Sequence, residues 1–140
     1  MANLFELFRY PLGIITFVFS ITGFAFYFTA HFIYMFHTIG EEVMAAIAFL
    51  IIGVVAFLVV IDLFIFSYRF FVPHLVAVII PGVWSLINAF NLSAYLQNYP
   101  FIKIGAIVGD VCLLLSGIVF TIFWIVYKKS NNANKAEMSK

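Results

Sequence analysis

Long apolar segments alternate with short polar ones along most of the chain. Each apolar segment is long enough to cross the hydrocarbon core of a bilayer, which takes about 20 residues in a helix. The pattern therefore predicts four membrane-spanning helices, at about residues 12–36, 43–66, 72–95 and 104–127.

The polar segments between these predicted helices are brief. Connections this short force neighbouring helices to run antiparallel. The fold class predicted for residues 1–127 is therefore all-α, an integral membrane four-helix bundle built from antiparallel hairpins. The remaining residues, 128–140, are polar and rich in Asn and Lys, which predicts a disordered tail.

Composition supports the membrane interpretation. Hydrophobic residues make up 66% of the chain and charged residues only 9%, whereas soluble domains have roughly 45–50% apolar and about 25% charged residues. A net charge of +1 gives no electrostatic basis for binding nucleic acid. The lipid bilayer is thus the first partner that we expect.

The positive charges predict the orientation in the membrane. Of the seven Lys and Arg residues, only Lys103 falls on one side of the predicted spans, and the other six fall on the opposite side. The side richer in Lys and Arg is normally cytoplasmic. Both termini are therefore predicted to be cytoplasmic, while nothing in the sequence indicates the organelle.

Small residues form stripes along the predicted helices, and such stripes allow helix backbones to approach closely in lipid. The stripe on the fourth helix consists of Gly105, Gly109, Cys112 and Ser116. The stripe on the first consists of Thr16, Ser20, Gly23, Tyr27, Ala30 and Tyr34. The stripes predict packing seams inside the bundle, with a dimerisation face on the fourth helix as the alternative. We accordingly expect a homo-oligomer or a subunit of a larger membrane complex.

Ionisable residues within membrane spans are expensive and are candidates for function. The predicted topology places four polar residues in the outer half of the bundle: His31, Asn88, Asn91 and Asp110. A carboxylate beside an imidazole can relay a proton, bind a cation or hold a polar head group, because each group stabilises the charged form of the other. The alternative is a structural hydrogen bond that ties the first helix to the fourth.

A second set of ionisable residues lies near the inner membrane boundary and consists of Asp62, Arg69 and His74. Asp62 is close enough to the end of the second helix to reach the interface. A salt bridge between Asp62 and a nearby arginine, which would fix the hairpin, is the favoured interpretation of this inner-side charge cluster.

Signatures of enzymes or of bound cofactors are missing from the sequence. It contains no nucleophile elbow, phosphate loop or pair of histidines at metal-binding spacing. His31 and His37 are six positions apart and point to different sides of a helix, and Cys112 is the single cysteine. No catalytic residue, metal or cofactor is therefore predicted.

The layout resembles that of small four-span membrane proteins, most of all the MARVEL-type membrane-organising proteins. The shared features are the short hairpin loops, a first helix that begins soon after Arg9, and a short polar tail. The stretch GVWSLINAF, residues 82–90, is similar to the third helix of fungal members, although an acidic residue expected in that helix is absent here. The resemblance implies a role in membrane apposition, microdomain organisation or vesicle traffic, without catalytic residues.

Two functions are compatible with these observations. The first is a membrane protein that acts through lateral or protein–protein association, in membrane organisation, in trafficking or as a complex subunit. The alternative is a small transporter, channel or cofactor-holding subunit that uses His31 and Asp110.

Overall fold

A computed structural model describes residues 8–37, 41–66, 71–91 and 100–139, except for the side chains at positions 34, 37, 41, 42, 45, 63–66, 71 and 88–91. The described part is all-helical and contains no strand, which confirms the predicted all-α class with four helices. The helices are α1 (Pro11–His37), α2 (Glu41–Phe66), α3 (Phe71–Asn91) and α4 (Pro100–Met138).

Prolines open two of the helices. Pro11 is the first residue of α1 and Pro100 the first of α4, positions where the missing N–H has no helical partner to lose. The carbonyl of Tyr10 accepts hydrogen bonds from the amides of Gly13 and Ile14, at 2.9 and 3.2 Å, and so begins the helical ladder of α1. The third helix includes Pro81 in its interior.

Each helix packs against the next one along the chain, and α4 closes the ring by packing against α1. The α1–α4 contact is the most extensive of the four. Among the described side chains, the main core cluster comprises Phe24, Tyr27, Ala56, Val60, Ala77, Val78, Leu113, Phe120 and Phe123. All four helices contribute to this cluster, so the core runs along the bundle axis.

Helix α4 continues through most of residues 128–140, where the sequence predicts a disordered tail. Adding residues to an existing helix is much cheaper than starting a new one, and this segment extends one that is already long. Lys128 places its ammonium 4.9 Å from the ring of Trp124, and Ser139 donates a hydrogen bond to the Ala136 carbonyl at the end. The extension is solvent-exposed, so packing does not hold it helical.

Among the described residues, two helices are long and apolar enough to cross a membrane: α1 over Pro11–Ile33, and α4. Shorter apolar stretches lie within the other two helices, at Ala46–Asp62 in α2 and Val72–Ile87 in α3. The length and composition of α1 and α4 are therefore compatible with membrane insertion.

Candidate functional site

The candidate site begins with two residues one turn apart on α1. The Nδ1 atom of His31 lies 2.8 Å from the carbonyl oxygen of Tyr27, and the two rings stack with their centroids 4.2 Å apart. A carbonyl oxygen can only accept, so Nδ1 carries a hydrogen and donates it. The backbone of α1 thereby fixes which nitrogen of His31 is left to face the rest of the bundle.

That second nitrogen meets a serine of α3. Nε2 of His31 lies 3.1 Å from the hydroxyl oxygen of Ser85, and both groups are buried. When His31 is neutral, Nε2 has no hydrogen, and the Ser85 hydroxyl donates to it. When His31 is charged, the direction reverses and Nε2 donates to Ser85. The contact therefore persists in either protonation state.

Helix α4 is the third helix that contributes to the site, through the side chain of Asp110. Its side chain is 0% exposed, and neither carboxyl oxygen has a hydrogen-bond partner within the described part of the chain. The backbone of Asp110 lies against α3, because its carbonyl oxygen would be 3.5 Å from a Cβ atom at Gly82, one turn before Ser85. A hydrogen bond between Ser85 and His31 thus joins α3 to α1, and α4 places the buried Asp110 beside the same part of α3.

Tyr27 anchors this cluster to the remaining helix. Its hydroxyl donates a 2.9 Å hydrogen bond to the carbonyl of Phe49 on α2. A Cβ atom at Gly53 would lie only 2.5 Å from the Tyr27 ring. Gly53 follows Phe49 by one helical turn, and a side chain in a helix leans over the preceding turn. The glycine therefore makes room for the ring beside the carbonyl that it binds.

A second polar layer joins α1 to α4 further along the bundle. The hydroxyl oxygens of Ser20 and Ser116 are 2.5 Å apart, and Ser116 also donates to the carbonyl of Thr16 at 3.3 Å. Because Ser116 has one hydroxyl hydrogen, Ser20 is the donor in the contact between the two serines. Thr16 turns its own hydroxyl to the Leu12 carbonyl, at 2.8 Å.

Between the two polar layers, the backbones of α1 and α4 touch directly. A Cβ atom at Gly109 would lie 2.8 Å from the Tyr27 amide nitrogen and 3.0 Å from the Gly23 carbonyl oxygen. In return, a Cβ atom at Gly23 would lie 2.9 Å from the amide nitrogen of Leu113. Since backbone atoms cannot move aside as a flexible side chain can, glycine is required on both helices.

The predicted stripes correspond closely to this interface. On α1 the five members with described side chains are all buried: Thr16, Ser20, Gly23, Tyr27 and Ala30. On α4, Gly109 and Ser116 are buried, whereas Gly105 and Cys112 are half-buried. Leu113 takes the inward position beside Cys112. The Gly109 part of the α4 stripe is thus occupied by α1 within the same chain.

The predicted outer cluster is brought together in part. His31 and Asp110 are both buried, but His31 bonds to Ser85, and neither oxygen of the Asp110 carboxyl has a hydrogen-bond partner among the described residues. The side chains of Asn88 and Asn91 lie outside the described part of the structure. Sequence reasoning placed Ser85 with the small packing residues of the third helix and did not include it in this cluster, although it lies three positions before Asn88, on the same side of a helix. That spacing was the available signal.

The members of the predicted inner cluster lie in different surroundings. Asp62 is exposed on α2, and His74 is fully buried with its ring centroid 4.0 Å from that of Phe120. Arg69 lies outside the described residues, so a salt bridge between Asp62 and Arg69 lies outside them as well. His74 therefore lies in the core against an aromatic ring, whereas the side chain of Asp62 is on the surface.

Within the described ranges, no group of three or more His, Cys, Asp or Glu side chains is arranged to hold a metal ion. Fold and site together define an all-helical bundle of four helices with a polar cluster in its core. Comparisons with protein-family models, with curated proteins and with solved structures found no match to this chain.

Proposed function

We propose that the chain is an integral membrane protein of four spans that acts by association with other proteins in the plane of the bilayer. The observation that carries the membrane part is the inverted distribution of polar and apolar side chains. Among the described side chains, the buried polar and charged residues are Thr16, Ser20, His31, His74, Ser85, Asp110 and Ser116. A soluble bundle would place most such residues on its surface.

The outer surface, in contrast to the core, carries large apolar side chains. Large apolar side chains are more than half exposed on every helix, for example Val18 at 53%, Leu58 at 59%, Trp84 at 57% and Ile118 at 58%. Apolar exposure on this scale marks a membrane or protein contact. Lipid satisfies such a surface around the whole bundle, and the six-to-one distribution of Lys and Arg supports cytoplasmic termini.

The membrane proposal is tested by extraction and by labelling. The protein is expected to stay in the membrane pellet after washing with alkaline carbonate, and release into the supernatant would contradict four spans. In a Cys112→Ser background, a cysteine at Ser130 is expected to react with an impermeant thiol reagent only after the membrane is opened. A cysteine at Lys103 is the matched control and is expected to react in intact cells or vesicles.

Lateral association is supported by the faces that the bundle leaves open. The small-residue faces of α1 and α4 pack against each other, so a partner must meet an outer face. Between α2 and α3 the outer face holds an apolar groove of about 450 Å³, with Ala56 and Ala77 in its lining between ridges that include Val55 and Val76. Small residues between larger ones favour helix packing in lipid. The layout resemblance to MARVEL-type proteins agrees with such a role.

The partner that can be tested directly is a second copy of the chain. Variants with Val55→Cys or Val76→Cys, made in a Cys112→Ser background, are expected to form disulfide-linked dimers in native membranes on mild oxidation. Ile118→Cys, on the exposed face of α4, is the matched control and is expected to cross-link less. Equal cross-linking at all three positions would indicate random collision and would contradict association through the α2–α3 face.

One observation favours a second candidate function, that of a small transporter or channel subunit. Asp110 is a buried carboxyl without a full hydrogen bond in the described part of the bundle, and such groups mark ion or proton pathways in membrane proteins. Purified protein in liposomes would then show proton or cation flux that Asp110→Asn abolishes. Flux equal to that of empty liposomes would contradict this candidate and leave the association proposal untouched.

A further inference from the structure

We infer that Arg9 and Lys128 bind the phosphate group of an anionic phospholipid at the end of the bundle where α1 begins. The two residues are far apart in the sequence, and a contact between aromatic rings brings them to one place on the α1–α4 interface. The inference rests on the proposed insertion into a membrane and is independent of lateral association.

The contact that brings the two residues together is made by Tyr10, at the start of α1. Its ring meets two rings of α4 edge-on, with centroid separations of 5.6 Å to Phe123 and 6.2 Å to Tyr127. Arg9 precedes Tyr10 in the sequence, and Lys128 follows Tyr127. The two basic residues are therefore the sequence neighbours of two rings in contact.

The backbone is held against the bundle on both sides of Arg9. Phe8 meets Phe17 edge-on, with ring centroids 5.3 Å apart, and Tyr10 is held by α4. The side chain of Arg9 is exposed. Its guanidinium can therefore meet a ligand from the surroundings while its backbone keeps its place on the interface.

Lys128 lies on the side of α4 next to this contact. Its ammonium is 4.9 Å from the ring of Trp124, one turn earlier, and these two residues adjoin Tyr127 and Phe123 around the helix. Lys129 is two positions beyond Tyr127, a rotation of about 200°, and so lies on the opposite side of α4. Both lysines are exposed, but Lys128 is the one beside the contact with α1.

In the proposed topology this contact lies at the level of the lipid head groups. Residues 111–127 of α4 include no charged residue, and Lys128 is the first one after them. The head-group layer extends about 5–7 Å beyond the hydrocarbon core, which corresponds to the first few residues of α4 beyond this apolar stretch. Tyrosine and tryptophan concentrate at the same level of a membrane. Three such residues lie here: Tyr10, Trp124 and Tyr127.

The charge at this end of the bundle favours a ligand with a net negative charge. On this side of the proposed spans the sequence has six basic residues and three acidic ones, which are Glu6, Asp62 and Glu137. Glu137, the one on α4, lies about 13 Å beyond Lys128 along the helix. A zwitterionic lipid carries its own cation next to its phosphate, whereas an anionic lipid does not. Basic side chains near the membrane surface therefore favour the anionic lipid.

The two cations suit a phosphate ester in different ways. The guanidinium of Arg9 can donate two parallel N–H bonds to two phosphate oxygens, and the ammonium of Lys128 adds a compact positive charge. The acyl chains of a phospholipid hold its phosphate at the depth of these two groups, whereas free phosphate is dilute in the surrounding water. A lipid is therefore the source of phosphate that we expect at this site.

The experiment measures which lipid lies beside each tryptophan, with the full chain in nanodiscs of mixed phosphatidylcholine and phosphatidylglycerol. Bromine atoms on the acyl chains of one lipid or the other quench the fluorescence of a nearby tryptophan. Trp84→Phe leaves Trp124 as the reporter beside Lys128, and Trp124→Phe leaves Trp84, exposed on α3, as the matched control.

Phosphatidylglycerol is expected to be enriched about tenfold or more at Trp124, because each of two basic residues near an anionic surface contributes about fivefold. At Trp84 it is expected to follow its share of the mixture. Each value compares two lipids that carry the same bromine atoms, so a change in the emission of the tryptophan itself cancels. Quenching of Trp124 in proportion to the mixture would overturn the inference.

Substitutions separate a site from a general attraction of anionic lipid to a positive end. In the Trp84→Phe background, Arg9→Gln and Lys128→Gln are each expected to lower the enrichment at Trp124 by about fivefold. Lys129→Gln removes the same charge from the opposite side of α4 and is the matched control, which is expected to keep most of the enrichment. Equal losses in Lys128→Gln and Lys129→Gln would overturn the site.

Two further outcomes distinguish the source of the phosphate and the failure of the proposed function. Inorganic phosphate, added at constant ionic strength, is expected to leave the enrichment unchanged, and its loss would show that the site takes free phosphate instead of a lipid. An inserted bundle is expected to show quenching of Trp84 by both brominated lipids. If neither lipid quenches Trp84, the proposed insertion fails and the site with it. Quenching of Trp84 without enrichment at Trp124 overturns the site alone.

Discussion

The α1–α4 and α2–α3 interfaces of the same bundle are built on different principles. At the first, glycines bring two backbones into contact and buried hydroxyls join them. At the second, aliphatic side chains meet around an apolar groove that opens to the outside. In the membrane environment that we propose, helix association is driven by close packing and hydrogen bonds and not by the exclusion of water. The α1–α4 interface therefore fixes the fold, while the α2–α3 face remains available for contact with lipid or protein.

The largest effect is expected from a methyl group at the closest backbone contact. Gly109→Ala places a Cβ atom 2.8 Å from the Tyr27 amide nitrogen and forces α1 and α4 apart, at a cost of about 2–3 kcal/mol in the free energy of unfolding. The measurement is SDS-induced unfolding in mixed micelles, followed by circular dichroism.

Gly105→Ala is the matched control on the same stripe. A Cβ atom there meets only the Ala30 methyl group, at 4.0 Å, which is ordinary contact, so the expected change is within about 0.5 kcal/mol. If the two alanine variants were equally stable, the α1–α4 backbone contact would not be what fixes the fold.

The next largest loss of stability is expected at Gly53, whose lack of a side chain leaves space for the Tyr27 ring. Gly53→Ala brings a methyl group to 2.5 Å from the Tyr27 ring, and we expect a loss of about 1–3 kcal/mol in the same unfolding measurement. The ring is fully buried and cannot swing into solvent, so the strain is not relieved cheaply.

A double-mutant cycle separates this contact from a general effect of alanine in α2. Leucine at position 27 has a narrower side chain than tyrosine. In a Tyr27→Leu background, Gly53→Ala is therefore expected to lower the free energy of unfolding by clearly less than it does alone, which gives a coupling energy of at least about 0.5 kcal/mol. Additive losses in the double variant would show that Gly53 acts without reference to Tyr27.

A smaller effect is expected at the second polar layer. Ser116→Ala removes the hydrogen bond to the Thr16 carbonyl and the acceptor for Ser20, and interhelical hydrogen bonds in membranes contribute about 0.6 to 2 kcal/mol. Thr121→Val is the control on the same helix, because the Thr121 hydroxyl bonds to the Gly117 carbonyl of α4 itself. The unfolding free energy is expected to fall by about 1 kcal/mol in the first variant and to change little in the second. An equal loss in both would mean that these hydroxyls stabilise α4 rather than the interface.

The contrast between the interfaces also explains how far the sequence could predict the molecule. Hydropathy defines the four helices, because each apolar run covers most of a helix, and the spacing of small residues on α1 identifies its inward face in advance. The helical continuation beyond residue 128 was not predictable from composition, because polar residues that suit a disordered tail can also extend an existing helix. Hydropathy of single segments says nothing about which helix supplies the neighbour of a given side chain.

Two members of the polar cluster, His31 and Asp110, were predictable from the sequence, whereas Ser85 was not. A histidine and an aspartate inside apolar runs stand out in the sequence, whereas a serine is common enough in membrane helices to pass for a packing residue. The role of Ser85 follows only from the tertiary arrangement, in which its hydroxyl on α3 lies 3.1 Å from Nε2 of His31 on α1. Likewise, the role of Gly53 depends on what faces it, namely the Tyr27 ring.

The smallest effect on folding is expected at the open α2–α3 face. Val76→Ala removes methyl groups from a side chain that is 48% exposed beside the groove. If the face meets lipid, as we propose, lipid chains replace the lost contacts at almost no cost. Val78→Ala, two positions along the same helix and 0% exposed, empties space inside the bundle and is expected to lower the unfolding free energy by about 1 kcal/mol or more. In nanodiscs with excess lipid, where the chain is held as single copies, Val76→Ala is expected to match the wild type in stability. A loss at Val76 as large as that at Val78 would show that the groove belongs to the folded core rather than to the surface that the bundle offers to its surroundings.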